Sequence, residues 1–155
     1  MCGFTDANWG KDTRGHSTSG HAFFINEGGA TIWGVKKQRA LAISSCEAEI
    51  YAASLAACVA TWVRKFMVGC GFKPDGATLI WEDNQGAISL SHDPTQHSKA
   101  RHIYLKEMFV REKVRSGEII LKYIRSKDNL ADFFTKLLPR VAFMKFRKML
   151  MGESA

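Results

Sequence analysis

At Ser44 the hydrophobic period of this chain changes, and that change limits what it can fold into more than any other feature. Before it lie three short apolar segments. Residues 3–9 alternate and hold Phe4 and Trp9, and HAFFI and ATIWGVKK follow. The intervening GKDTRGHSTSG and NEGG are polar and glycine-rich, as turns are. Three strands with brief turns predict an antiparallel meander. After Ser44, the residues Ala48, Tyr51, Ala52, Leu55, Val59, Trp62, Val63, Phe66 and Met67 recur at helical spacing. Ser44 and Ser45 are N-cap candidates, and Glu47 and Glu49 fall where the helix dipole favours acids. Gly69-Cys70-Gly71 supplies a stop. Ala53, Ala56, Ala57 and Ala60 form a small-residue stripe that lets this helix approach a sheet closely.

The remainder alternates. ATLIWED reads as a buried strand, NQGAISLSH as a short helix and HDPTQHSKAR as a loop. Residues 103–115 form a basic amphipathic helix ended by Gly117, and EIILKYI is a last strand. DNLADFFTKLL reads as a helix capped near Asp128 and broken by Pro139. VAFMKFRKML reads as another, with Phe143, Phe146, Met149 and Leu150 on its apolar side. The order β-β-β-α-β-α-α-β-α-α implies an α/β fold, a mixed sheet with helices on its faces. No repeat or linker divides residues 1–155, so one domain is expected. A strand starting this abruptly suggests a piece of a longer polypeptide. No apolar run approaches the roughly 20 residues of a membrane span. The four cysteines match no zinc module, which points to a reduced, intracellular setting.

Charge is divided along the chain. Residues 1–93 hold 8 Lys/Arg and 9 Asp/Glu, whereas residues 94–155 hold 14 and 6. A basic half beside a near-neutral one suits a protein that meets a polyanion.

Four acids sit at the edges of apolar segments, where an uncompensated carboxylate is costly. They are Asp6, Glu49, Asp83 and Asp132. Singly, each has an ordinary reading: a turn residue, a helix-dipole acid, an N-cap and a first-turn surface acid. Together they suggest more. If the strands bearing Asp6 and Asp83 are neighbours, which a crossover helix permits, the two acids meet at one sheet edge. Glu49 begins that crossover, and Asp132 follows the last strand. Clustered oxygen ligands of this kind suit Mg²⁺ or Mn²⁺, and two such ions can clamp an in-line phosphoryl displacement.

The strings TDANW, STSGHAFFI, ALAISSCEAEIYAAS, LIWEDNQGAISL, HSKARHIYLKEMFVREKV and KDNLADFFTKLLP carry a resemblance. Over about residues 3–150 the chain resembles the ribonuclease H domain of copia-type retrotransposon Pol polyproteins. The resemblance implies a ribonuclease H-like fold with a five-stranded mixed sheet flanked by helices. It implies a two-metal endonuclease that hydrolyses the RNA strand of RNA–DNA hybrids, fused behind a reverse transcriptase polymerase domain, with no membrane partner. The setting would be a cytoplasmic virus-like particle or the nucleus. Asp6, Glu49, Asp83 and Asp132 match the family's metal ligands, with Glu47 as a fallback for Glu49. Ser44, Ser45, Asn84 and Gln85 are candidates for 2′-hydroxyl and base-edge contacts, or else for helix caps. Lys99, Arg101, Lys106, Arg111, Lys113 and Arg115 are candidates for phosphate contacts, or else solvated charges. Two rival readings stay open. One is an integrase- or transposase-type nuclease, which the order of the acids disfavours. The other is a decayed or domesticated copy that only binds nucleic acid. His92, His97 and His102 fall within zinc-like spacing, with a plain histidine-rich loop as the alternative.

Overall fold

The computed structural model describes residues 1–92 and 101–153. Three strands open it: β1 (Cys2–Asn8), β2 (Thr18–Phe24) and β3 (Ile32–Lys37). They form the expected antiparallel meander, β1 with β2 and β2 with β3. The long helix α1 (Ser45–Gly69) then crosses to β4 (Thr78–Glu82), which pairs parallel with β1. Helices α2 (Gln85–His92) and α3 (Arg101–Arg115) lead to β5 (Ile119–Tyr123), parallel to β4. The five-stranded mixed sheet has the order β3-β2-β1-β4-β5. A short α4 (Asp132–Thr135) and α5 (Arg140–Met151) follow.

The boundaries of α1 follow the sequence. Ser44 caps it, its hydroxyl accepting the Glu47 N–H at 3.2 Å, while the Glu47 carboxylate reaches back to accept the Ile43 N–H at 2.9 Å. The alanine stripe is fully buried. Ala53, Ala56, Ala57 and Ala60 pack on Phe23, Ile80, Ile119 and Leu121 of the sheet, with Val110 of α3. Burying a side chain such as Phe23 contributes about 1.5–3 kcal/mol, and small helix residues let the sheet come close enough for it.

Several expectations need correction. Trp62 and Phe66, assigned to the apolar helical set, are 60% and 58% exposed and stack on each other with ring centroids 5.6 Å apart. The segment after β5 is not a full helix. Residues Ser126–Asp128 make one 3₁₀ turn, and α4 is four residues long. Of the apolar side expected for α5, Phe146 is buried, while Phe143 and Met149 are partly exposed. Finally, α1 is long and apolar enough to cross a membrane by length and composition, contrary to the reading that no segment is. Its alanine face instead lies against the sheet.

Candidate metal centre

The parallel pairing of β1 with β4 sets Phe4 opposite Trp81. Carrying that register two residues onward brings Asp6 level with Asp83. Asp6 is fully buried within β1, and Asp83 lies just past the end of β4. Glu49 projects from the first turns of α1 and is also buried, and Asp132 opens α4. Oxygens of Asp6, Asp83 and Asp132 lie within 4.8 Å of one another. Oxygens of Glu49, Glu82 and Asp83 form a second group within the same limit. Folding therefore gathers all four sequence-predicted acids into two groups that share Asp83.

Local structure seats each one. Gly20 pairs with Asp6 across the β1–β2 ladder. A Cβ there would come within 2.8 Å of Thr135, 2.9 Å of Phe134 and 3.1 Å of the Ala131 carbonyl oxygen. The glycine thus lets α4 settle onto the sheet beside Asp6. Asn129 fixes the approach of α4, donating to the Thr5 carbonyl at 2.9 Å and accepting the Ala131 N–H at 3.1 Å. Asn84 caps α2, its side-chain oxygen accepting the Ala87 N–H at 3.0 Å, so Asp83 is not that cap.

Three residues at the site were not anticipated. Lys136 donates to Asp6 Oδ1 at 3.0 Å and to Asp132 Oδ1 at 2.7 Å, bridging the two acids. Thr135 Oγ1 donates to Asp6 Oδ2. Glu82 is fully buried behind Asp83. Helical i,i+4 spacing from Asp132 was a readable signal for Lys136. Glu82 follows Thr78 and Ile80 on the inward face of β4, which was a readable signal too.

The electrostatics reflect crowded carboxylates. Burial, with the charges of Glu82, Asp6 and Asp83, pushes Glu49 up to about 11, against the pull of Lys136. Burial also raises Glu82 well above the carboxylate range, although the Asn84 N–H opposes it. Asp132 rises to about 6, through burial and Asp6, with Lys136 opposing. Burial disfavours charge on Lys136, yet its contacts with Asp132 and Asp6 hold the ammonium above its usual range. Among the described residues, Glu49 Oε2 and Glu82 Oε2 are buried without a hydrogen-bond partner. Hard oxygen donors left unpaired inside an acidic cluster fit a Mg²⁺- or Mn²⁺-type ion.

The other sequence candidates are scattered. The Ser44 side chain is occupied as the α1 cap. Ser45 and Gln85 begin α1 and α2 near the site. Lys99 lies outside the described residues, as does His97 of the histidine series. Arg101 opens α3.

The chain has relatives among known proteins. No family model matches. It is 33% identical over 146 residues to the retrovirus-related Pol polyprotein from transposon RE2 of Arabidopsis thaliana, covering 94% of the chain and 10% of that protein. It is 31% identical over 141 residues to that from transposon TNT 1-94 of Nicotiana tabacum, covering 91% and 10%. LC11-RNase H1, isolated from compost, superposes with a TM-score of 0.64 at 14% identity, over 93% of this chain and 95% of its own. The chain is a ribonuclease H-fold relative of copia-type retrotransposon Pol polyproteins. It spans about a tenth of the length of the curated relatives it matches. The ribonuclease H fold also appears in a foamy viral protease-reverse transcriptase solved in complex with an RNA/DNA hybrid, with a TM-score of 0.62 at 16% identity over 86% of this chain and 19% of that one. Across such low identity the likeness is one of fold, and the Pol relationship rests on sequence.

Proposed function

We propose that this ribonuclease H-fold chain is a divalent-metal-dependent endonuclease that hydrolyses the RNA strand of RNA–DNA hybrids during reverse transcription of a retrotransposon. The observation that carries this reading is the shared position of Asp83 between two acidic groups, each able to hold a cation. Asp6, Asp83 and Asp132 would hold one ion, and Glu49 with Asp83 the other. Bound ions would activate the attacking water and stabilise the departing 3′ oxygen.

The chain's own residues do the rest. The sheet keeps Asp6 and Asp83 in fixed register. Asn129 and Gly20 hold α4 down so that Asp132 faces them. Thr135 orients the Asp6 carboxylate. A cleft of about 400 Å³ between β3, α1 and α3 is lined by Lys36, Lys37, Arg39 and Lys106. Lys106 Nζ sits 4.5 Å from the Tyr51 ring centroid, and burial together with Lys36 lowers its pKa. Cations crowded this way favour a phosphate backbone. The 2′-hydroxyls that mark RNA supply the basis for strand choice. The polymerase domain of the same polyprotein is the proposed covalent neighbour.

The test is incubation of an end-labelled RNA–DNA hybrid, duplex DNA and single-stranded RNA with the protein and Mg²⁺. The reading requires internal cuts in the RNA of the hybrid, leaving 5′-phosphate ends. Equal cutting of duplex DNA, or no cutting of any substrate, would defeat it.

A further inference from the structure

We propose that Glu82 is a further cation ligand, completing a pocket with Glu49 and Asp83 that holds a hard divalent ion. The proposal rests on the metal-centre reading above and adds a residue to it. Glu82 is wholly buried, and its neighbour Glu49 is 6% exposed. Oxygens of Glu49, Glu82 and Asp83 lie within 4.8 Å of one another. Each of the two glutamates keeps one buried oxygen with no hydrogen-bond partner among the described residues. An acid excluded from water with an unpaired oxygen is costly unless something positive meets it.

The geometry leaves that oxygen available. Glu82 Oε1 accepts the Asn84 N–H at 3.0 Å, which pins the carboxylate at the entrance to α2 and leaves Oε2 as the unpaired atom. Alternation along β4 buries Glu82 on the same side as Thr78 and Ile80, and Ile80 packs against α1, the helix that carries Glu49. Among the described residues no Lys or Arg forms an ion pair with Glu49 or Glu82, whereas Lys136 contacts Asp6 and Asp132.

Charge balance agrees. With Glu82 included, five carboxylates surround the site when ionised, and Lys136 returns one positive charge. Two divalent ions would neutralise the remaining four negative charges. Without Glu82 as a ligand, a buried carboxylate would stand beside the second ion yet outside its coordination.

Mn²⁺ titration by calorimetry, read for stoichiometry and affinity, tests this. The parent protein is expected to bind two ions. E82Q keeps the shape and the acceptor for the Asn84 N–H, so it is expected to fold. It should lose one ion or bind it at least about tenfold more weakly, the scale seen when groups supporting a metal are removed. Should E82Q not fold, crystals of the parent protein soaked in Mn²⁺ decide the matter, because the proposal requires a Glu82 oxygen bound directly to the ion that Glu49 and Asp83 hold. Two ions bound by E82Q with unchanged affinity, or a Glu82 carboxylate that touches neither ion in those crystals, would overturn the role of Glu82. A parent protein that binds no Mn²⁺ would instead sink the metal-centre reading itself, and Glu82 with it.

Discussion

Asn129 donates a hydrogen bond to the carbonyl of Thr5 at 2.9 Å, joining positions 124 residues apart. Both residues are fully buried. Thr5 precedes Asp6, and Asn129 stands three residues before Asp132. One bond therefore ties the strand of the first acid to the segment of the last. Asn129→Ala would remove this bond to the Thr5 carbonyl and release the Ala131 N–H. The expected cost is about 1–3 kcal/mol of stability, measured by urea unfolding, with a fall in Mn²⁺ affinity as Asp132 loses its placement. Unchanged affinity would show that α4 is held by other contacts.

Gly20 makes a second demand on the same packing. Its missing side chain leaves room for Thr135, Phe134 and the Ala131 carbonyl. Gly20→Ala should push α4 outward, lower the thermal midpoint and weaken metal binding. Gly76→Ala serves as the control for a glycine change remote from the site. It carries a strained positive φ but has open space around its Cβ position, so it should cost stability and spare metal affinity.

Lys136 acts as an internal counter-ion for Asp6 and Asp132. Lys136→Met should lower the thermal midpoint of the metal-free protein, because like charges then face each other unscreened. It should also enlarge the stabilisation that Mn²⁺ brings. Differential scanning calorimetry with and without Mn²⁺ reads both effects, and a smaller Mn²⁺ shift in the variant would show that Lys136 assists the ion.

The pH dependence of the metal-free protein follows from Glu49 and Asp132. Glu49 is raised from 4.5 to about 11 and Asp132 from 3.8 to about 6. Within those windows the folded state binds more protons than the unfolded state, so stability falls as pH rises. For Asp132 the decline runs between about pH 4 and 6, and for Glu49 it starts near 4.5 and continues into the alkaline range. Glu49→Gln should flatten the alkaline part of a plot of thermal midpoint against pH. Metal binding must expel these protons, so Mn²⁺ affinity should rise with pH.

Much of this was legible in the sequence, for physical reasons that differ by element. The alanine stripe of α1 and the break in period at Ser44 are local signals, and the sheet uses both directly. Asp6 and Asp83 could be placed together because a crossover helix permits parallel pairing of their strands. Trp62 and Phe66 were misplaced because α1 is apolar around more than one face, so spacing alone does not choose the buried one. The late start of α4 goes with Asn129, whose side chain bonds across the molecule to Thr5, a contact that no local pattern encodes. Alternation with Thr78 and Ile80 places Glu82 on the inward face of β4, but an acid at a strand end is ordinarily a solvent residue, so the pattern alone does not show that it is buried.

The account turns on Asp83 standing between two cation pockets. Crystals soaked in Mn²⁺ and measured for anomalous scattering test that most directly. Two peaks about 3.5–4 Å apart, one on each side of the Asp83 carboxylate, are the predicted result. Peaks located elsewhere, or an Asp83 carboxylate that touches neither ion, would contradict it.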